Sequence, residues 1–167
     1  MQYIRKVTSD EVIISFANQE GKKRGVDRIE NISHAKEFLK CWGKDFFFSQ
    51  SFEKCEWQLV EFNKEDFFKF KAPLALTWCM LLGNNFLIEN ASRDRLDKKK
   101  HKNLIELDQD FNWFHEFKPI VVEKGNYYIL LDGTSRSFVY RSKIKEGREG
   151  GIFEGFKGYL GRHCPHI

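Results

Sequence analysis

The segment Pro119–Lys143 constrains this chain more than any other. Pro119-Ile120-Val121-Val122-Glu123 is apolar and β-branched, Lys124-Gly125-Asn126 is a turn signal, and Tyr127–Leu131 is a second apolar run. Two such runs across a short glycine-containing turn predict a β-hairpin. Asp132-Gly133 then breaks the strand. Thr134 or Ser135 can cap a helix running to about Lys145, with Phe138, Val139 and Ile144 on its inner side. A chain holding this unit needs a sheet for the hairpin to join and a core for the helix to cover. With 167 residues there is room for both in one domain.

The rest of the chain reads as alternating short elements. Tyr3–Val7 predicts a strand, and Ser9-Asp10-Glu11 opens a helix carrying Val12, Ile13 and Phe16, which Gly21 stops. Gly21–Glu30 is a polar, basic loop. Ala35, Phe38, Leu39 and Trp42 fall on one helical stripe, with Ser33 as its cap and Gly43 as its stop. Asp45–Phe52 reads either way. Trp57–Phe62 alternates as a strand does, and Asn63 caps a short helix over Lys64–Phe70. Leu74–Leu82 is apolar on all sides and fits a buried helix or a buried strand. Phe86–Ile88 fits a short strand. The tail holds Gly147, Gly150, Gly151, Gly155, Gly158 and Gly161, six of the 12 glycines, and reads as a flexible loop or a loose helix packed by its glycine face. No repeat or linker divides the chain. The expected fold is α+β, a single domain with a small mixed sheet and a C-terminal hairpin feeding a helix.

Composition excludes several classes. Hydrophobic residues make up 41% and charged residues 31%, too apolar for disorder. No apolar run approaches the ~18 residues that cross a bilayer. Met1-Gln2-Tyr3 begins no basic-then-apolar leader. A cytoplasmic chain without a membrane partner is the expectation. Its four cysteines, Cys41, Cys55, Cys79 and Cys164, lie far apart and without a CxxC pair, so they are expected as free thiols. His163-Cys164-Pro165-His166 is too crowded for an ordinary zinc site. His34, His101 and His115 have no spacing that makes a triad or a metal site. Aromatics reach 16%, with 17 phenylalanines, most of them expected in the core.

The net charge of +4 is local. Ala91–Leu104 carries Arg93, Arg95, Lys98, Lys99, Lys100 and Lys102 against Asp94 and Asp97. Such a run suits the backbone of DNA or RNA or the far phosphates of a nucleotide, and it suits a solvated loop equally well.

Chemistry concentrates at Asp132-Gly133-Thr134-Ser135-Arg136. The first turn of a helix leaves backbone N–H groups unpaired. Gly133 has no side chain to block an approaching ligand and tolerates positive φ. Thr134 and Ser135 add hydroxyls, and Arg136 adds a charged fork that matches two phosphate oxygens. Together they form a phosphate cradle. Asp132 could hold a metal ion, accept a substrate proton or only fix the turn. The bland alternative is a turn and helix cap with Arg136 in a salt bridge.

The strand Pro119–Val122, the short turn, and Tyr128-Ile129-Leu130-Leu131-Asp132-Gly133-x-x-Arg136 followed by a helix resemble the hallmark segment of the ParB/sulfiredoxin-like superfamily. The likeness covers about Phe117–Lys143. It implies a ParB-like fold in which the helix after the turn receives a nucleotide phosphate, with Mg2+ as a companion ion and Asp132 and Arg136 as the catalytic pair. The activities implied are those of its nucleotide hydrolases, kinases and nucleases. Sulfiredoxins carry Cys-His-Arg in this turn, and kinase-like members carry His before the Arg. Thr134-Ser135-Arg136 stands here instead, which removes the thiol and the imidazole and leaves phosphate binding. A non-catalytic interaction module is the remaining alternative.

Overall fold

The computed structural model describes residues 1–44, 49–73, 82, 85–91, 102–109, 116–146 and 155–165. Among them the chain folds as an α+β protein around one mixed sheet. Strands β1 (Gln2–Lys6), β2 (Glu56–Phe62), β3 (Phe70–Lys71), β4 (Ile120–Lys124), β5 (Tyr127–Asp132) and β6 (Phe156–Arg162) lie in the order β1-β2-β6-β4-β5-β3. β1 and β2, β2 and β6, and β4 and β5 pair antiparallel. β6 and β4, and β3 and β5, pair parallel.

Period-two alternation decides which face each strand residue serves. On β4, Ile120 and Val122 enter one core and Val121 the other. On β2, Trp57 joins the first core, and Val60 and Phe62 the second. The first core holds helices α1 (Ser9–Lys22), α2 (Ile32–Cys41) and α3 (Gln50–Glu53), through Val12, Ile13, Phe16, Ala35, Leu39 and Phe52. The second holds α4 (Lys64–Phe68), α5 (Lys102–Gln109) and α6 (Thr134–Glu146), through Phe67, Leu104, Phe138, Val139 and Tyr140. The sheet is thus a middle layer with helices on both sides. Edge-on aromatic contacts join Phe62, Phe67, Phe70 and Phe156 in the second core, so these phenylalanines are packing residues.

Local chemistry sets the helix ends. The Thr8 side chain caps α1 by accepting from the Glu11 N–H. Asn31, not Ser33, caps α2. Asn63 and Asp66 form a reciprocal capping box at α4. Gly21 does not stop α1. It lies inside the last turn, where an added Cβ would sit 3.4 Å from Val26 Cβ. Trp42 leaves the stripe of α2 and lies exposed with the Arg24 guanidinium 4.0 Å over its ring. Leu87 makes only an isolated bridge to Lys71, and Ile88–Asn90 is a single 3-10 turn.

Two expectations are overturned. Phe156–Arg162 of the glycine-rich tail is β6, an interior strand between β2 and β4, and neither a loop nor a helix. Cys55 and Cys164 are not free thiols: they are joined by a disulfide where β2 begins and β6 ends. Cys41 is free and exposed. Among the described residues no helix is long and apolar enough to cross a membrane. Cys79 and most of Leu74–Leu82 lie outside the described residues.

Candidate anion site at the start of α6

β5 runs through the sheet with Leu130 buried and ends at Asp132. Gly133 then takes φ +95°, a conformation that costs a side-chain-bearing residue. The first helical hydrogen bond of α6 is Ser137 N–H to Gly133 O, at 2.8 Å. The amides of Thr134, Ser135 and Arg136 precede it and have no intrahelical acceptor. Glycine at the cap position supplies no oxygen to replace one. Strand, break and helix therefore fall where the residues predict them.

Gly133 has a different neighbour from the one expected. An added Cβ would lie 2.7 Å from Phe117 Cε2 and 3.4 Å from Pro119 Cα. Glycine here admits the Phe117 ring, and the space above it is filled by protein rather than left for a ligand.

Arg136 is half-buried. Its Nη1 donates to Gln19 Oε1 at 3.1 Å, and Gln19 Nε2 donates to Lys118 O at 3.2 Å. The guanidinium carbon lies 6.0 Å from the Phe117 ring centre. No carboxylate pairs with it: nearby Glu116 is taken by Lys22 at 2.5 Å. Arg136 is thus anchored through one nitrogen to a neutral amide and keeps its charge uncompensated by a contact. Thr134 and Ser135 are half-buried beside it.

Asp132 is the least satisfied group in the turn. Its Oδ2 is sealed from solvent and has no hydrogen-bond partner. Burial pushes its carboxyl above the usual carboxylate range. Lys23, Arg136 and the Gly133 N–H pull the other way, and Glu20 adds to the rise. Glu20 itself, on α1, goes in the opposite direction. Burial would raise it, but contacts from the Lys23 ammonium and the Arg24 guanidinium hold it below its ordinary value. Two carboxyls of one neighbourhood are pushed apart, one toward the neutral acid and one toward the ion.

The five turn residues are thus brought together as expected, and the last turns of α1 join them. Gln19, Glu20 and Lys23 were not legible as site residues. Glu20, Lys23 and Arg24 form an i, i+3, i+4 charge ladder, a local signal, but nothing local places it beside residue 132. A divalent ion fits poorly here. One carboxyl, protonation-prone and flanked by Lys23 and Arg136, is a donor set for an anion, and among the described residues no group of three or more His, Cys, Asp or Glu side chains gathers. Arg93, Arg95, Lys98, Lys99 and Lys100 lie outside the described residues, as do His101, His115 and His166. His34 is exposed, with Asn31 beside its ring.

No family model, curated protein or solved structure matches this chain.

Proposed function

We propose that the start of α6 binds the phosphoryl group of a nucleotide or another small phosphorylated ligand. One observation carries this reading: three unpaired first-turn amides lie next to a guanidinium that has no carboxylate partner. Helix dipole and amides favour negative charge at this end, and phosphate answers both. In this reading the Thr134, Ser135 and Arg136 amides and the two hydroxyls take phosphate oxygens. Arg136 adds one or two charge-assisted hydrogen bonds while Gln19 holds its other nitrogen. The hairpin strand ending in Asp-Gly-x-x-Arg before a helix supports a nucleotide as the ligand, through the resemblance to the ParB/sulfiredoxin-like superfamily. Phosphotransfer or hydrolysis would follow from positioning and charge stabilisation at the same atoms.

The test is calorimetric titration of nucleoside mono-, di- and triphosphates into the wild type and Arg136→Ala. A hydrogen-bonded charge contact is worth about 1.5–3 kcal/mol, so the variant should bind roughly ten- to a hundredfold more weakly. Arg136→Lys should recover only part of the loss, because a point charge does not reproduce the fork. Identical isotherms for wild type and Arg136→Ala would leave the turn as a plain helix start.

A further inference from the structure

The unpartnered Asp132 oxygen sits at a site otherwise built from donors, and an ionised carboxylate there would repel the very ligand that the amides attract. A neutral carboxylic acid would not: it offers an O–H. We propose that Asp132 acts in the anion site as a protonated acid whose O–H donates to the bound oxyanion, so that binding takes up a proton from solvent and needs no divalent cation. This rests on the oxyanion reading above and specifies the form in which that site is occupied.

Geometry supports it at several points. Oδ2 is sealed from water and makes no hydrogen bond, so it has a vacancy for exactly one polar contact. Asp132 immediately precedes the cap residue Gly133, whose N–H lies against its carboxyl. The charged groups facing it are Glu20 and Lys23 from α1 and Arg136 from α6. Lys23 is engaged by Glu20, and Arg136 by the Gln19 amide, so neither is bonded to Asp132. Phe117 closes the Gly133 side against water. Burial pushes the carboxyl up before any ligand arrives, and an anion beside it pushes it further in the same direction.

The sign follows. Below the Asp132 pKa of the free protein, the acid is already neutral and binding is independent of pH. Between that pKa and the higher one of the complex, each complex formed takes up a proton, and affinity falls as pH rises, by up to about tenfold per pH unit. The probe is inorganic sulfate, whose charge is constant over the range, with inorganic phosphate as a second arm. Titrations from pH 5 to 9, with EDTA present throughout, should show affinity declining with pH for the wild type. The decline should vanish in Asp132→Asn, whose amide can donate but cannot ionise. Calorimetry of the wild type in two buffers of different ionisation enthalpy gives the proton count directly, without relying on a variant. Uptake of a fraction of a proton up to one per sulfate is expected. An unchanged pH slope in Asp132→Asn, no proton uptake at any pH, or binding that appears only when magnesium is added overturns the proposal while leaving the oxyanion site standing. Absence of sulfate and phosphate binding at every pH overturns both.

Discussion

At the scale of single residues, Gly133 carries two demands that no other residue meets. Its φ of +95° disfavours any side chain, and an added Cβ would stand 2.7 Å from the Phe117 ring. Gly133→Ala should therefore destabilise the protein, by about 1–3 kcal/mol for the overpacking alone, with strain from the positive φ added. Urea denaturation measures it. Pairing Gly133→Ala with Phe117→Leu separates the two contributions, since only the steric share can relax when the ring is removed. A loss under about 0.5 kcal/mol, the range of an unremarkable surface change, would mean that the ring is not seated where the structure has it. Arg136→Ala should behave in the opposite way. Its guanidinium makes one hydrogen bond to a half-buried amide, so stability should change little while oxyanion affinity drops. This contrast between neighbours three residues apart separates a folding role from a binding role within one turn.

At the scale of elements, legibility in the sequence follows locality. The hairpin, α6, the Asn63 cap and the β2 alternation all rest on residues within a few positions of one another, and all appear in the fold. β6 does not announce itself, because Phe-Lys-Gly-Tyr-Leu-Gly-Arg has glycine where a strand usually has a branched side chain. The reason lies in distant partners. A Cβ on Gly158 would meet Pro119 O at 2.7 Å and Phe62 Cε2 at 2.8 Å, and one on Gly161 would meet the Trp57 ring at 3.0 Å. Large aromatics on the neighbouring strand β2 occupy the volume that side chains on β6 would need. α5 was hidden for a similar reason: it stands at the edge of a basic run that reads as a loop, and its tie to α6 is a buried ion pair, Asp108 with Lys143 at 3.2 Å, that spans 35 residues. Gly158→Ala tests this account of β6. The Tyr159 N–H donates to Pro119 O at 2.8 Å, so the backbone there cannot retreat without loosening a sheet bond. A loss of about 1–3 kcal/mol in denaturant titration is expected. Gly155→Ala serves as the control, because its nearest neighbour is the Glu61 carboxylate tip, which can swing away. Equal effects from the two would refute packing against β2 as the reason for glycine in β6.

At the scale of the whole molecule, the sheet separates two cores, and its interior strands come from opposite ends of the sequence. β2 and β6 are neighbours, yet Cys55 and Cys164, which bound them, are 109 positions apart. Closing a loop of that size by a covalent bond removes unfolded-state entropy worth about 4–5 kcal/mol in the chain-entropy model. That is a large share of the ~5–15 kcal/mol that separates folded from unfolded domains. The bond also lies beside the core: Trp57, nearly fully buried, packs under Gly161, and Cys164 crowds the same glycine. Bonded cysteines persist in oxidising compartments and are rare in the cytosol, so the cysteine chemistry runs against the cytoplasmic expectation drawn from the leaderless start. Reduction should lower the melting temperature by roughly 10 °C or more, taking about 2–4 °C per kcal/mol for a chain of this size. The double variant Cys55→Ser/Cys164→Ser should melt where the reduced wild type melts and should ignore reductant. Cys41→Ser should keep the full response, since Cys41 is exposed and unbonded. Intact mass under non-reducing conditions reports the bond itself. A wild type whose mass shows the thiols bonded, yet whose melting temperature is indifferent to reductant, would mean that pairing along β2 and β6 already holds these ends together in the ensemble from which the chain folds, and that the covalent link adds nothing to it.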